Sequence, residues 1–446
     1  MGRDNLISRV NPDSTEDIYT YNDANQITGV QTVKVDNSNG TSLIPKWSSE
    51  YSFDADGRIN GVTGTRPSGS SLSESYTYNN GTEQLNRLTQ AVIDGTTFNY
   101  QYDPAGNLTS MTVPVFGTKT FTYDADNRIT NSGFSYDANG NLTAVAMYGT
   151  NYNYVYDAKN RLTTVKDSSN NVIASYTYDG EGNRITKTAN GTTTTYHYFK
   201  GQLMYETVGS TITALYLRSP DGKLLGVRLS QNGANNYYYY HYDAQGNVVA
   251  VTDTNGNLYR QYVYDPYGNI ISVKDGSGNS INIANDTGFN NAYTYRGYRF
   301  DPESGLYFLQ SRYYAAGIGR FLTKDSNDFV NYKDPQTLNL YSYAGDNPVN
   351  NIDPNGKMYG IDDLLESPEG QELLDKVGDE VSNIEQEIAQ EASVIGGDIT
   401  NLAEVVDPNK INHIFGNEAH NLGGFLEQYG GDRIQAFNAI KNTTQQ

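Results

Sequence analysis

The sequence predicts a mainly β protein built from antiparallel hairpins in series, followed by a small α-helical C-terminal region. Three observations support this fold class. The 446 residues include 39 Tyr and 44 Gly but only 14 Phe and 1 Trp, a balance typical of many strands whose aromatic rings keep a polar edge, separated by many turns. One short unit recurs from about residue 20 to 275. The aromatic strands stop after Gly356.

The recurring unit consists of an aromatic residue, then Asp or Asn, two or three variable residues, Arg or Asn, and an aliphatic residue. Its clear copies begin at Tyr21-Asn22, Phe53-Asp54, Tyr78-Asn79, Tyr102-Asp103, Tyr123-Asp124, Tyr136-Asp137, Tyr156-Asp157, Tyr178-Asp179, Tyr242-Asp243 and Tyr264-Asp265. Several copies are 20 to 22 residues apart, which fits one β-hairpin per unit.

Turn chemistry accounts for this unit without any catalytic role. In the copy at 136–142, Asp137 can cap the amides of the turn, and Gly140 can take the positive φ needed to re-enter a strand. In the copy at 123–128 the same place is held by Asn127, the next most tolerant residue for that conformation. We therefore expect a tight turn at each copy.

The segments around these turns alternate in polarity, as at 152–156 and 192–198. Alternation predicts strands with one face packed inward and the other face in water. Hairpins in series form a long strip of antiparallel sheet, and such a strip aggregates unless it coils or closes on itself.

The stretch from Tyr295 to Gly356 places Tyr, Phe, Leu and Arg between Asp-Pro, Asn-Pro and Gly turn signals, which predicts short strands broken by tight turns. Its distinctive pieces are Gly305-Leu306-Tyr307 through Arg312-Tyr313-Tyr314 to Gly319-Arg320-Phe321, and Asn339-Leu340-Tyr341 through Asn347-Pro348 to Asp353-Pro354-Asn355-Gly356. The stretch resembles the block that closes the shell in the Rhs/YD-repeat family, and the earlier units resemble YD repeats. This resemblance implies that the strip spirals into a hollow shell.

We accordingly expect four regions: a YD-repeat β-hairpin region at 1–292, an Rhs-type core closing segment at 293–356, an acidic helical linker at 357–406, and a candidate toxin tip at 407–446. Shells of this family are usually built from longer repeat regions, and the first unit starts in mid-pattern. We therefore expect a displaced or partial copy, with the remainder of a larger Rhs shell as its partner.

Composition excludes several function classes. The absence of Cys excludes a cysteine nucleophile and the Cys-x-x-Cys pair of zinc deaminases. The net charge of −20 argues against a protein that coats nucleic acid. No apolar run reaches membrane-spanning length, and the first residues lack the order of a signal peptide. The family resemblance implies a secreted, cell-surface or cell-wall location as part of a larger exported protein, whose export signal we expect to lie elsewhere.

The residues after Gly356 predict helices. Ser367 and Pro368 resemble a helix start, and an apolar stripe at steps of three and four follows at Leu374, Val377, Val381, Ile384 and Ile388. From Lys357 onward there are 17 acidic and 5 basic residues, a balance of −12. The stripe favours a linker or docking helix over a coiled-coil partner site.

Two of the four histidines, His413 and His420, lie within eight residues of each other near the C-terminus. Two imidazoles can serve in turn as base and acid in metal-free RNA cleavage, and Lys410 could stabilise the charge that develops on the phosphate. On the spacing alone, histidines that simply cap or fill small helices are favoured over a catalytic pair. A metal site with Glu418 or Asp432 matches no known ligand spacing, so we predict no metal and no cofactor.

The segment Asn409 to Gly416, with His420-Asn421-Leu422 and the helix from Tyr429 to Ala439, resembles tips of bacterial polymorphic toxins of the barnase/EndoU/colicin/RelE-like ribonuclease group. This resemblance implies RNA as substrate, His413 and His420 as catalytic residues with Lys410, and a cognate immunity protein. The sequence stops at Gln446, before the strand-rich segment that such a domain would need. A truncated, inactive tip is therefore an alternative to a working ribonuclease.

A second candidate site lies at the junction. Rhs-type proteins release their tip by self-cleavage, and the family's two aspartates map onto Asp325 and Asp353. Two carboxyls that share a proton can activate water against a peptide bond. Asp-Pro is also a common turn start. The family's Pro after the first aspartate is Ser326 here, and its usual apolar residue after the glycine is Lys357.

Taken together, the residues and the resemblance predict a YD-repeat shell segment that carries an RNA-cleaving toxin tip for competition between bacteria. Two alternatives remain: a non-enzymatic cell-surface repeat protein or inactive remnant, and a metal-dependent nuclease tip, which a chelator would silence.

Overall fold

In the computed structural model the described residues are 5–36, 42–79, 86–114, 116–147, 149–199, 201–219, 222–231, 233–282, 286, 289, 291–326 and 335–357. The predicted helical linker beyond Lys357 and the candidate toxin tip lie outside this part. Across the described ranges every regular element is a β-strand or a short 3₁₀ turn. No helix in these ranges is long and apolar enough to cross a membrane.

The first ten strands form one antiparallel sheet in which each strand pairs with the next along the chain. They are β1 (Ser8–Val10), β2 (Thr15–Tyr21), β3 (Ile27–Asp36), β4 (Ser42–Phe53), β5 (Ile59–Thr65), β6 (Ser71–Tyr78), β7 (Leu88–Ile93), β8 (Thr96–Tyr102), β9 (Leu108–Val113) and β10 (Gly117–Thr120). The predicted series of hairpins is therefore confirmed.

The next fourteen strands form a second sheet with the same sequential order. They are β11 (Ser135–Tyr136), β12 (Leu142–Met147), β13 (Thr150–Tyr156), β14 (Leu162–Lys166), β15 (Val172–Tyr178), β16 (Arg184–Ala189), β17 (Thr192–Phe199), β18 (Gln202–Val208), β19 (Thr211–Arg218), β20 (Leu224–Gln231), β21 (Ala234–Tyr242), β22 (Val248–Thr252), β23 (Leu258–Tyr264) and β24 (Ile270–Asp275). Along the chain, between β10 and β11, Tyr123 and Ile129 form an isolated antiparallel bridge.

A third, four-stranded sheet belongs to residues 293–356, which we call the closing segment. Its strands are β25 (Arg299–Asp301), β26 (Leu306–Phe308), β27 (Tyr313–Ala315) and β28 (Arg320–Phe321). Short 3₁₀ turns lie at Tyr295–Gly297, Ala316–Ile318, Pro335–Leu338 and Ala344–Asp346.

The turns have the predicted chemistry. Oδ1 of Asp137 accepts hydrogen bonds from the amides of Asn139 and Asn141, both at 2.9 Å, and Oδ2 accepts from the Asn141 side chain at 2.8 Å. Gly140 has φ +86° and Asn127 has φ +59°. One carboxylate thus fixes each tight turn, which explains why Asp recurs there.

The tyrosine of the unit links successive hairpins. In seven copies its hydroxyl donates a hydrogen bond of 2.5–2.8 Å to the carbonyl of the aliphatic residue that follows an earlier turn. These pairs are Tyr78 to Ile59, Tyr102 to Leu88, Tyr123 to Leu108, Tyr156 to Leu142, Tyr178 to Leu162, Tyr242 to Leu224, and Tyr264 to Val248. The ring packs inward while its polar edge satisfies a backbone group.

The strip coils back on itself. The Tyr51 hydroxyl accepts a hydrogen bond from the amide of Ala244 at 2.9 Å, and the amide of Ser68 donates to Gln261 Oε1 at 2.7 Å. Strand β4 and the turn after β5 therefore lie against β21 to β23, near the end of the second sheet.

The closing segment packs against the turns of the units. Asp301 forms an ion pair with Arg184 at 2.5 Å, both fully buried. The Tyr341 hydroxyl donates to the carbonyl of Gly140 at 2.7 Å, and the Tyr307 hydroxyl to that of Gly268 at 2.8 Å. Residues of the closing segment belong to both hydrophobic cores. It therefore holds units together that are far apart in the sequence.

Candidate functional site

The structure describes two of the five predicted site residues. His413, His420 and Lys410 lie outside the described residues, so their roles stay predictions. Asp325 follows β28, and Asp353 lies near the end of the closing segment. The structure brings these two aspartates to one cation.

That cation is Arg312, the last residue of the turn between β26 and β27. Its Nη2 lies 2.7 Å from Asp325 Oδ2 and 3.3 Å from Asp353 Oδ2. Nη1 donates to the carbonyl of Leu340 at 3.0 Å, and the guanidinium covers the ring of Phe321, 3.6 Å from its centroid. The side chain is thus held in one orientation by polar and aromatic contacts.

The two aspartates have different surroundings. Asp353 is 2% exposed, and its Oδ1 accepts hydrogen bonds from the amides of Gly356 at 2.8 Å and Lys357 at 3.0 Å. Asp325 is half-buried, and its Oδ1 accepts from the amide of Ser326 at 2.8 Å. Asp325 is therefore closer to solvent than its neighbour.

Burial raises the pKa of the Asp325 carboxyl to about 7, and Arg312 opposes that rise only in part. The negative charge of Asp353 acts in the same direction as burial. Near neutral pH the pair can therefore hold one proton between two carboxyls, the protonation state that water activation by two aspartates requires.

A peptide group of the same chain lies on this site. Arg312 Nε donates to the carbonyl oxygen of Gly356, and the amide of Lys357 donates to Asp353. The two ends of the Gly356–Lys357 peptide group thus contact the arginine and one carboxylate. A positive donor on a carbonyl oxygen stabilises the negative charge that develops there when water attacks.

Sequence reasoning missed Arg312 as a site residue. In the sequence Arg312 stands within the piece Arg312-Tyr313-Tyr314, and a signal for its role is present. An arginine among residues expected to be buried needs an anionic partner, and Asp325 and Asp353 are the candidate site aspartates of the same segment.

A second buried polar cluster fails as an active site. His241 contacts Asp17 Oδ1 at 3.1 Å and Thr252 Oγ1 at 2.9 Å, which resembles a hydroxyl, imidazole and carboxylate series. All three residues are at most 1% exposed, so no substrate reaches the hydroxyl. Over the described ranges, no group of three or more His, Asp or Glu could hold a metal ion.

Comparison with known proteins gives the family. The family described as Teneurin YD-shell matches residues 14–349. The chain belongs to the teneurin YD-shell family. The resemblance of the repeats and of the 295–356 stretch to Rhs/YD-repeat proteins is thereby confirmed.

Relatives of this YD-shell protein include proteins named as tRNA nucleases and a teneurin. It is 34% identical over 284 residues to the tRNA3(Ser)-specific nuclease WapA of Bacillus spizizenii and to the tRNA nuclease WapA of Bacillus subtilis, covering 61% of this chain and 11% of each relative. It is 27% identical over 267 residues to Teneurin-3 of Mus musculus, covering 57% of this chain and 9% of the relative. The chain thus spans only a small part of these relatives.

Solved structures show the same fold. The Photorhabdus luminescens Tc holotoxin pore aligns with a TM-score of 0.62 and 20% identity, covering 78% of this chain and 18% of that one. The TcdB2–TccC3 complex aligns with a TM-score of 0.61 and 19% identity, covering 78% and 19%. At this identity the likeness concerns the YD-shell fold alone.

Proposed function

We propose that the closing segment cleaves its own chain at the Gly356–Lys357 peptide bond and so releases the residues that follow. The observation that supports this proposal is the contact of Arg312 with both aspartates and with the carbonyl of Gly356. A turn-forming Asp-Pro pair alone would not need a second carboxyl on the same guanidinium.

In the proposed reaction, water held between the two carboxyls attacks the carbonyl carbon of Gly356. Asp353 takes the proton of this water and transfers it to the nitrogen of Lys357, which it already contacts. Arg312 stabilises the oxyanion, and Asp325 supplies the second, protonated carboxyl. The carbon–nitrogen bond breaks, leaving a carboxyl group on Gly356 and an amino group on Lys357.

Intact-mass spectrometry of the purified chain tests this reaction. We expect the wild-type chain to give two fragments, the first ending at Gly356, whereas Asp353→Asn and Asp325→Asn remain whole. Asp286→Asn is the matched control, because Asp286 pairs with Arg260 elsewhere in the fold, and it should cut like the wild type. An uncut wild-type chain would refute the proposal. A first fragment that ends at a residue other than Gly356 would refute cleavage at the Gly356–Lys357 bond.

A second function concerns the residues after Gly356. We infer that 357–446 contain an RNA-cleaving toxin tip in which His413 and His420 act as base and acid with Lys410. Relatives that share the shell at 34% identity are named as tRNA nucleases, which supports the inference. The inference extends to export within a larger protein, to bacterial competition and to an immunity partner. A non-enzymatic repeat protein is the alternative function, and the same repeats occur in Teneurin-3, which is 27% identical over 267 residues.

RNA integrity in cells that express the full chain distinguishes an RNA-cleaving tip from a non-enzymatic repeat protein. Specific RNA fragments should appear with the wild type and disappear with His413→Ala and with His420→Ala, while His197→Ala on β17 should behave like the wild type. Cleavage by the purified chain should survive a chelator, because two histidines need no metal. Intact RNA and normal growth would instead favour an inert tip, and chelator-sensitive cleavage a metal-dependent nuclease.

A further inference from the structure

The turn between β26 and β27 contacts the peptide group at which cleavage is proposed. This turn, Leu309–Arg312, is built on Gln310 in the left-handed region at φ +63°. The amide of Leu309 donates to the carbonyl of Arg312 at 3.0 Å. A non-glycine residue at positive φ costs free energy, so such a conformation persists only where surrounding contacts fix it.

Ser311 makes two hydrogen bonds to one atom of the chain to be cut. Its hydroxyl donates to the carbonyl oxygen of Asn355 at 2.7 Å, and its amide donates to the same oxygen at 3.1 Å. The next residue, Arg312, donates to the next carbonyl, that of Gly356. Two consecutive residues of the turn therefore hold two consecutive carbonyls of the cleavage segment.

The backbone of the cleavage segment lies directly against this turn. Gly356 has φ +77°, and a Cβ atom there would lie 2.8 Å from Ser311 Oγ, 2.9 Å from the carbonyl oxygen of Leu309 and 3.1 Å from the amide nitrogen of Arg312. Only glycine avoids both the conformational strain and these contacts. The surface of the turn is thus complementary to the bare backbone of this segment.

We propose that Ser311 is a positioning residue for self-cleavage, an inference that rests on the proposed function. By fixing the carbonyl of Asn355, Ser311 sets the register in which the Gly356 carbonyl meets Arg312 and the Lys357 amide meets Asp353. The Ser311 side chain is exposed, and among the described residues its hydroxyl bonds only the segment that the reaction cuts. Small displacements of a reacting group from its attack geometry slow a reaction strongly.

The rate of cleavage during cell-free synthesis of the full chain tests this role. We expect Ser311→Ala to slow the appearance of fragments by about tenfold, Ser311→Thr to restore most of the rate, and the pH at half-maximal rate to stay unchanged. Ser135→Ala, which removes an exposed hydroxyl that bonds Thr143, is the matched control and should cut at the wild-type rate.

Stability is measured separately, with Ser311→Ala combined with Asp353→Asn so that the chain stays whole. The melting temperature should match that of Asp353→Asn alone. If the wild type cuts and Ser311→Ala cuts equally fast, the positioning role is refuted while self-cleavage stands. A slower rate with a lowered melting temperature and no rescue by threonine would also refute it. If the wild type does not cut, the proposed function itself fails.

Discussion

The tyrosine hydroxyl explains why the repeated unit keeps Tyr in most copies, where Phe would fill nearly the same volume. In seven copies this hydroxyl bonds a carbonyl of a neighbouring unit. A buried carbonyl left without a donor costs more free energy than the net gain of one hydrogen bond. Each tyrosine therefore contributes stability both by burial and by satisfying the backbone.

Replacing Tyr156 by Phe should lower the free energy of unfolding by about 1 kcal/mol, because the carbonyl of Leu142 loses its phenol donor. The denaturant midpoint, measured on uncleaved Asp353→Asn chains, checks this value. Tyr237→Phe serves as control, because Tyr237 is 38% exposed and its hydroxyl can reach water. Equal midpoints for the Tyr156 and Tyr237 variants would contradict the role of the hydroxyl.

At the residue scale the sequence predicted the turns well, because their chemistry is local. Asp137 bonds the amides of Asn139 and Asn141, and Gly140 with its positive φ lies three residues after Asp137. The role of Arg312 could not be read in the same way, since its partners Asp325 and Asp353 are 13 and 41 residues away along the chain. Only the fold brings those carboxylates to one guanidinium.

At the scale of elements, the first hairpin of the strip is joined to β21 and β22 by a buried ionic cluster. His241 contacts Asp17 through Nδ1 and Thr252 through Nε2, and the Thr252 hydroxyl donates to Asp13. The Thr252 hydroxyl uses its hydrogen in the bond to the Asp13 carboxylate. In its hydrogen bond with His241 Nε2 it must therefore be the acceptor. Both ring nitrogens are therefore donors, as in a charged imidazolium.

The pKa of His241 agrees with this arrangement. Burial lowers the pKa, but the carboxylates of Asp17 and Asp13 outweigh burial and raise it to about 9. A raised pKa in the folded state means that the charged His241 stabilises the fold fully below its ordinary pKa of 6.5. This contribution is lost as the pH rises through 9.

His241→Phe should therefore lower the free energy of unfolding by about 3 kcal/mol at pH 6.5, because it leaves the buried Asp13 without a cation and Asp17 with Arg9 alone. The difference from the parent chain should shrink as the pH rises from 7 to 10. Denaturant unfolding of Asp353→Asn chains with and without the substitution measures this dependence. Parallel curves over that range would contradict a folded-state pKa of about 9 for His241.

The strands themselves were predictable, because hairpins pair neighbours in sequence and alternate inward and outward residues. The contacts that join distant elements were not. Asp17 and His241 are 224 residues apart, and nothing in their local sequences indicates the pairing. Asp301 and Arg184, 117 residues apart, show the same limit for the closing segment.

At the scale of the whole molecule, the closing segment connects the coiled strip to the proposed cleavage site. Its strands pack against turns from several units, and its last residues carry Asp353 and the peptide group at Lys357. Because Arg312, Asp325 and Asp353 all belong to this segment, the site is assembled only when the segment is folded in place. Cleavage should therefore follow folding of the shell.

The rate of self-cleavage as a function of pH tests this account most directly. Intact mass should be followed over time from pH 5.5 to 8.5, starting from chains synthesised at high pH. Since the pKa of Asp325 is raised to about 7, its carboxyl is protonated below that pH. The rate should stay high there and fall about tenfold for each pH unit above 7. A chain that stays whole at every pH, or that cuts equally fast as Asp325→Asn, would contradict the account.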